Sequence, residues 1–219
     1  MCGRMAITLP HAAMAQVFDA APANALPEVP NYNVCPTVQV HVVTSDAGTR
    51  HLRGMRWGFI PHWYDAPGAG PLLINARSET VADKPAFRAA VRARRCLIVA
   101  SGFYEWHRVP GQTPQPWYVT RSDAAPMAMA GIWQDWGRGG DAQPTCAVVT
   151  CAANAAMAPI HDRLPVILDS DDWPLWLGEA GHGAAPLMQA VDDDALRFTP
   201  VSTAVNSNRA QGEALIAPV

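Results

Sequence analysis

Between residues 96 and 151 short apolar runs follow one another with little but turn residues between them, and that spacing leaves no room for intervening helices. The runs cover 96–100, 103–109, 117–120, 127–133 and 145–151, and Pro110-Gly111-Gln112 reads as a hairpin turn inside the series. Parallel strands need crossover connections of a dozen or more residues. Strands this close in sequence therefore favour an antiparallel sheet, curled or barrel-like, with helices left to the periphery, which is an α+β architecture.

The flanking regions fit that frame. Val38, Val40 and Val42 alternate with Gln39, His41 and Val43, turn at Asp46-Ala47-Gly48, and return over 52–59. A helix is predicted after Pro10, with Met14, Val17 and Phe18 on one face, and another over 85–94, where Phe87 and Val91 stand four apart. Residues up to Pro36 read as a loop rich in Pro and Asn. Asp172 is expected to N-cap a short helix through Leu177, and 198–201 to form a last strand. No repeat or linker divides the 219 residues, 49% of them hydrophobic, so one domain over 1–219 is expected. No apolar run is long enough to span a bilayer and no secretory leader is visible, which makes a cytoplasmic monomer the expectation.

Composition excludes little more. Five cysteines (Cys2, Cys35, Cys96, Cys146 and Cys151) form no Cys-x-x-Cys pair, which argues against a disulfide framework and a zinc site. Cys96 and Cys146 lie in apolar runs and read as small core residues. Net charge is −3, and of 16 basic residues only Lys84 is lysine. Arginine suits bidentate phosphate contacts, but an alanine-rich chain also points to genomic base composition.

Chemistry concentrates in five segments. If Met1 is trimmed, Cys2 carries an α-amine and a thiol on adjacent carbons. Such an aminothiol condenses with an aldehyde to an imine, which the thiol closes to a thiazolidine. The bland alternative is an idle cysteine. In Gly102-Phe103-Tyr104-Glu105-Trp106-His107, a strand would put Phe103, Glu105 and His107 on one face. A carboxylate among aromatics is poised for proton transfer, or it is paired with a core arginine. Met157-Ala158-Pro159-Ile160-His161-Asp162-Arg163-Leu164-Pro165 brackets a His-Asp-Arg cluster between prolines in a fixed irregular backbone. That cluster can move protons and hold phosphate, or form a polar knot beneath a loop. Asn75 and Arg77 stand two apart in Ile74-Asn75-Ala76-Arg77-Ser78-Glu79-Thr80. The 55–63 segment interleaves Trp57, Phe59 and Trp63 with Arg56, which suits stacked single-stranded bases or simply core.

Taken together, these segments resemble the SOS-response-associated peptidase family, whose members capture abasic DNA. The resemblance rests on Met1-Cys2-Gly3-Arg4, Tyr32-Asn33-Val34-Cys35-Pro36-Thr37, Arg56-Trp57-Gly58-Phe59-Ile60-Pro61 and Asn75-Ala76-Arg77-Ser78-Glu79-Thr80. It continues through Arg95-Cys96-Leu97-Ile98, Gly102-Phe103-Tyr104-Glu105-Trp106, Ala130-Gly131-Ile132-Trp133 and Ile160-His161-Asp162-Arg163-Leu164-Pro165. Beyond about residue 170 the match thins to the Pro-Val-Ser and Val-Asn pattern of 200–206. The resemblance implies that Cys2 is the double nucleophile, that Asn75 bonds the opened sugar or orients the Cys2 amine, and that Glu105 shuttles protons. It implies that His161 assists opening of the deoxyribose. Arg4, Arg77 and Arg163 would contact phosphates and Trp57 or Trp63 would stack near the lesion. The product would be a covalent thiazolidine crosslink in single-stranded DNA that shields the site from strand cleavage, with no metal or organic cofactor. Cys35 departs from the alanine usual there. The alternative is an N-terminal-nucleophile cysteine hydrolase, either an autoproteolytic peptidase or a glutaminase. A noncatalytic damage-binding module is a further class.

Overall fold

The computed structural model describes residues 2–137 and 142–219, and in it the closely spaced runs become long strands that pair with their neighbours. Met1, whose removal the sequence reading expects, lies outside the described residues. In chain order the elements are β1 (Met5–Ile7), α1 (His11–Phe18), β2 (Ala20–Pro22), β3 (Asn31–Val34), β4 (Gln39–Asp46), β5 (Thr49–Trp57) and β6 (Asn75–Arg77). Then come α2 (Arg88–Ala93), β7 (Arg95–Ala100), β8 (Gly102–His107), β9 (Gln115–Arg121), β10 (Met127–Trp136), β11 (Gln143–Ala152), β12 (Arg163–Pro165), α3 (Trp173–Leu177) and β13 (Leu196–Pro200).

The larger sheet runs β12-β11-β10-β7-β4-β5-β2, with β6 on β11. Its path closes on itself because β11 also pairs in parallel with β5, through Thr145↔Arg56 and Cys146↔Trp57. Closure removes the exposed edges that an open sheet would leave. The smaller sheet, β13-β9-β8-β1-β3, is antiparallel. Only Ser101 separates β7 from β8, so the chain steps from one sheet to the other within a single residue. The Ser101 hydroxyl accepts the Thr8 amide at 2.9 Å and holds that corner. Gly102 is required there: a Cβ would stand 2.6 Å from Tyr118 Cζ and from the Val119 carbonyl oxygen.

Alternation along β8 sorts side chains between two cores. Phe103 packs into the main cluster with Trp57, Met129 and Val148. Tyr104 faces a smaller one formed by Ala6, Tyr118, Val201, Val205 and Leu215. Cys96 and Cys146 are core residues, as their apolar surroundings in sequence require, and Cys151 joins them. Among the described residues no helix is long and apolar enough to cross a membrane.

Several local expectations need correction. The loop ending at Pro36 contains β2 and β3, and β1 had no periodic signal at all. Arg163, expected on irregular backbone, opens strand β12, paired through Ala152↔Arg163. The 85–94 helix is shorter, Arg88–Ala93, because turns lead into it. Asp172 precedes α3 but makes no side-chain capping bond; the helix instead starts with Pro174 in its first turn and stops at left-handed Gly178.

His41 on β4 is 1% exposed, and its ring centroid lies 5.1 Å from that of His11. Burial, reinforced by His11, lowers its pKa from 6.5 to about 4. As pH falls from 6.5 the unfolded chain takes up a proton that the folded chain refuses, so stability declines until the pH reaches about 4. The melting temperature is expected to drop by several degrees between pH 7 and pH 4.5, and His41→Phe to flatten that part of the profile. Calorimetry on both chains across this range checks it, and parallel profiles would remove His41 from the account.

Candidate active site

The N-terminus enters the site because β1 lies antiparallel to β8, with Met5↔Phe103 and Ala6↔Gly102. Tyr104 donates its amide to the Arg4 carbonyl at 2.9 Å, continuing the ladder. The same register carried toward the N-terminus sets Gly3 opposite Glu105 and brings Cys2 alongside the carboxylate. Cys2 is 2% exposed and Glu105 is also buried. One Glu105 oxygen, Oε1, accepts the Trp106 amide at 3.1 Å.

These surroundings hold the sulfur as a thiol. Burial pushes the Cys2 pKa up to about 12, and the negative field of Glu105 pushes the same way. A hydrogen bond from the Arg4 backbone N–H opposes them without reversing the outcome. The backbone of Cys2 is fixed from another side: Asn75 Nδ2 donates to its carbonyl at 2.8 Å. Asn75 Oδ1 is buried and accepts no hydrogen bond among the described residues.

Asn75 owes its position to two strands. β6 pairs in parallel with β11 through Val148↔Asn75 and Thr150↔Arg77. The carbonyl just before it, that of Ile74, accepts the Trp57 indole N–H at 3.1 Å and the Val148 amide at 3.0 Å. Trp57 is 0% exposed. This corrects the reading of Trp57 as a stacking surface for bases: its ring is core, and its N–H is a strut under Asn75. Trp63, 48% exposed and edge-on to His62 and Tyr64, keeps an accessible ring.

His161 is set by a turn in which its amide donates to the Met157 carbonyl at 3.0 Å and the Met157 amide to Asn154 Oδ1 at 2.9 Å. The ring's Nδ1 lies 3.0 Å from the Arg163 amide nitrogen and 2.9 Å from Asp162 Oδ1. A backbone N–H can only donate and a carboxylate oxygen can only accept, so the two neighbours make opposite demands on Nδ1. The Asp162 contact becomes an ion pair only when the ring is protonated. β12, which follows His161, docks at the C-terminal half of β11, where β6 also sits.

The three arginines differ. Arg77 is exposed, two residues from Asn75 on the same face of β6. Arg163 spends its guanidinium on both oxygens of Glu79, at 2.6 and 2.9 Å, and on the Thr150 carbonyl at 2.7 Å. Arg4 Nη1 donates to Asn33 Oδ1 at 2.5 Å and to the Val205 carbonyl at 2.8 Å, with the guanidinium 5.8 Å from the Trp106 ring centre. Asn33 is a hub that its motif did not reveal, since its amide also donates to the carbonyls of Ser207 and Ala210. A buried asparagine needs partners, but sequence alone could not name a segment more than 170 residues away. Cys35 directs its thiol at the Asn33 carbonyl, 3.6 Å away.

A profile of the SOS response associated peptidase (SRAP) family matches residues 1–208. The abasic site processing protein YoqW of Bacillus subtilis is 35% identical over 191 residues, covering 85% of each chain. The abasic site processing protein YedK of Escherichia coli is 33% identical over 192 residues, covering 86% of this chain and 84% of its own. A crystal structure of a protein from Bacteroides thetaiotaomicron superposes with a TM-score of 0.86 over 100% of both chains at 22% identity, a likeness of fold.

In the chain that retains Met1, limiting iodoacetamide at pH 8 is expected to label Cys35 well before Cys2. Peptide mapping reads the order, and faster labelling at Cys2 would mean its thiol is neither buried nor held protonated.

Proposed function

The chain belongs to the SOS-response-associated peptidase family, and from that premise we propose that it processes abasic sites in DNA by trapping them on Cys2 after removal of Met1. The observation that carries the reading is the placement of buried Cys2 between Asn75 and Glu105. Asn75 holds the Cys2 carbonyl at 2.8 Å, while the Glu105 carboxylate acts on the Cys2 thiol.

An abasic deoxyribose equilibrates with a ring-opened aldehyde. With Met1 present, the Cys2 nitrogen is an amide and cannot condense. Once it is free, an α-amine has a pKa of about 7.7–8.0, so a useful fraction is neutral near pH 7. The thiol is buried beside Glu105, and both disfavour the thiolate in the chain that retains Met1. The proposed order of steps follows from that environment. The amine nitrogen attacks the aldehyde carbon first, and Asn75 Oδ1 is the acceptor that orients it. The Glu105 carboxylate takes up the proton that leaves the α-ammonium and then gives it to the carbinolamine hydroxyl, which departs as water and leaves an iminium. The resulting carboxylate then takes the thiol proton as sulfur attacks the same carbon. The C=N electron pair returns to nitrogen, and the five-membered thiazolidine closes with the net loss of one water. Without an iminium nothing drives β-elimination, so the strand is protected. His161 assists sugar opening, and Arg77, Arg163 and Arg4 with Trp63 receive the single strand around the lesion.

A cysteine hydrolase needs a thiolate, which a depressed pKa supplies. Burial of Cys2 beside the Glu105 carboxylate disfavours that form and lends this alternative no support.

Processed protein mixed with single-stranded DNA bearing one abasic site is expected to give a denaturation-resistant species at the summed masses minus one water. Cys2→Ala, undamaged DNA and protein retaining Met1 should give none. Cys2→Ser should give only a transient imine. Failure of processed protein to form the species, with the lesion intact, would discard the reading. Glu105→Gln is expected to slow adduct formation by on the order of 10²–10⁴ with little change in DNA affinity. Equal losses in both would reassign Glu105 to a structural part.

A further inference from the structure

At the opposite end of β7 from the Ser101 corner, roughly 16 Å along the strand, Arg95 stands beside a cavity of about 440 Å³. Val91, Trp176, Ala184 and Met188 line it with apolar surface, and Arg92 and His182 stand exposed at its rim. No aspartate or glutamate is among its lining residues.

Arg95 has a structural duty here. Its Nε donates to the Trp176 carbonyl near the end of α3, and its Nη1 donates to the carbonyls of Val91 and Arg92 at 3.1 and 3.3 Å near the end of α2. A cation suits the carbonyl end of a helix, and one guanidinium ties the two short helices together, 5.8 Å from the Trp176 ring centre. Nη2 takes no part in this. It makes no hydrogen bond among the described residues, and it lies beside Gly178, where a Cβ would come within 3.4 Å of it. Three other half-buried arginines meet carboxylates: Arg50 meets Glu179, Arg121 meets Asp123 and Asp169, and Arg163 meets Glu79, whereas Arg4, like Arg95, bonds neutral oxygens. Arg95 forms no ion pair among the described residues, and burial alone draws its pKa below the ordinary value. A guanidinium nevertheless stays charged at neutral pH. A partly desolvated cation with two unused N–H groups thus belongs to the lining of an apolar hollow whose size lies in the usual range for small-ligand sites.

We propose that this cavity is a second binding site, separate from Cys2, for a small organic carboxylate with an apolar body. The carboxylate accepts from Arg95 Nη2, with Arg92 and His182 closing around it. The body rests on Trp176, Val91 and Met188. A neutral ligand would leave the charge of Arg95 uncompensated, and an inorganic anion would leave the apolar walls wet.

The probe is 2-naphthoate, titrated into the ¹⁵N-labelled full chain and followed by two-dimensional NMR. Saturable shifts are expected at the amides of Gly178, Gly183 and Ala184, with a dissociation constant of about 1 mM or tighter for a ligand of this size. The neutral 2-naphthylmethanol should bind at least tenfold more weakly. Ala185→Trp, at an exposed lining position, should fill the hollow and abolish the shifts. Arg92→Gln, at the rim, should weaken binding at least threefold while adding no carboxylate that could pair with Arg95. Absence of saturable shifts in the native chain would overturn the proposal, as would equal affinity for the alcohol or undiminished binding in folded Ala185→Trp.

Discussion

Strand β11 has two edges and meets four strands. Val148 pairs with both Gly131 of β10 and Asn75 of β6, and Thr150 with both Arg77 of β6 and Pro165 of β12, so β6 must lie on the edge opposite β10 and β12. Thr145 and Cys146 pair with β5 as well as β10, which puts β5 on the β6 edge. The N-terminal half of β11 therefore closes the barrel, and its C-terminal half holds the strand bearing Asn75 across from the strand that follows His161. Arg163 reaches Thr150 and Glu79 from its own side and so braces the two flanking strands against each other. Neither short strand has enough residues to stand alone. The geometry around Cys2 is a consequence of barrel closure.

A nucleophile in such a frame must be held back as well as held in place. An exposed cysteine of ordinary acidity is open to oxidation and to adventitious electrophiles, because both act on the thiolate. Burial of Cys2 and the field of Glu105 suppress that form. In the proposed reaction the suppression carries no penalty, since the amine makes the first bond and the ring closure that follows is intramolecular. In that proposal the carboxylate that disfavours the thiolate is also the base that would remove the thiol proton when the iminium presents itself. One group would then account for both the quiescence and the proposed reactivity.

The fold was legible where strands were long and apolar. The 96–151 series and the 38–43 run with its return appear as β7 to β11, β4 and β5, because burial on a curved sheet selects for that pattern. The strands β1, β3, β6 and β12 were not legible, and they are the ones that carry or brace the site. Asn75-Ala76-Arg77 has three residues, two of them polar, and no periodicity; it is a strand only because β11 offers an unpaired edge. Asn75, Glu105 and His161 could be singled out as residues suited to proton transfer and orientation. What brings Asn75 onto the Cys2 carbonyl is a register, and registers are set by tertiary pairing. Trp57 shows the converse error, since an aromatic beside an arginine reads as a base-stacking surface until its complete burial is known.

Charge adds a last constraint on how a nucleic acid would be received. With a net charge of −3 the molecule has no global attraction for a polyanion, so binding depends on local cations. Their states are unequal. Arg77 is exposed beside Asn75, whereas Arg163 is held by Glu79 and Arg4 by Asn33 and the Val205 carbonyl. In the proposed role, a phosphate approaching Arg163 competes with a carboxylate already seated in bidentate geometry, and the gain is only the difference between two similar charge-assisted contacts. A phosphate at Arg77 meets no such competitor. Under that proposal Arg77 would carry most of the electrostatic attraction next to the lesion, and the Glu79–Arg163 pair would serve chiefly to keep β6 and β12 aligned across β11.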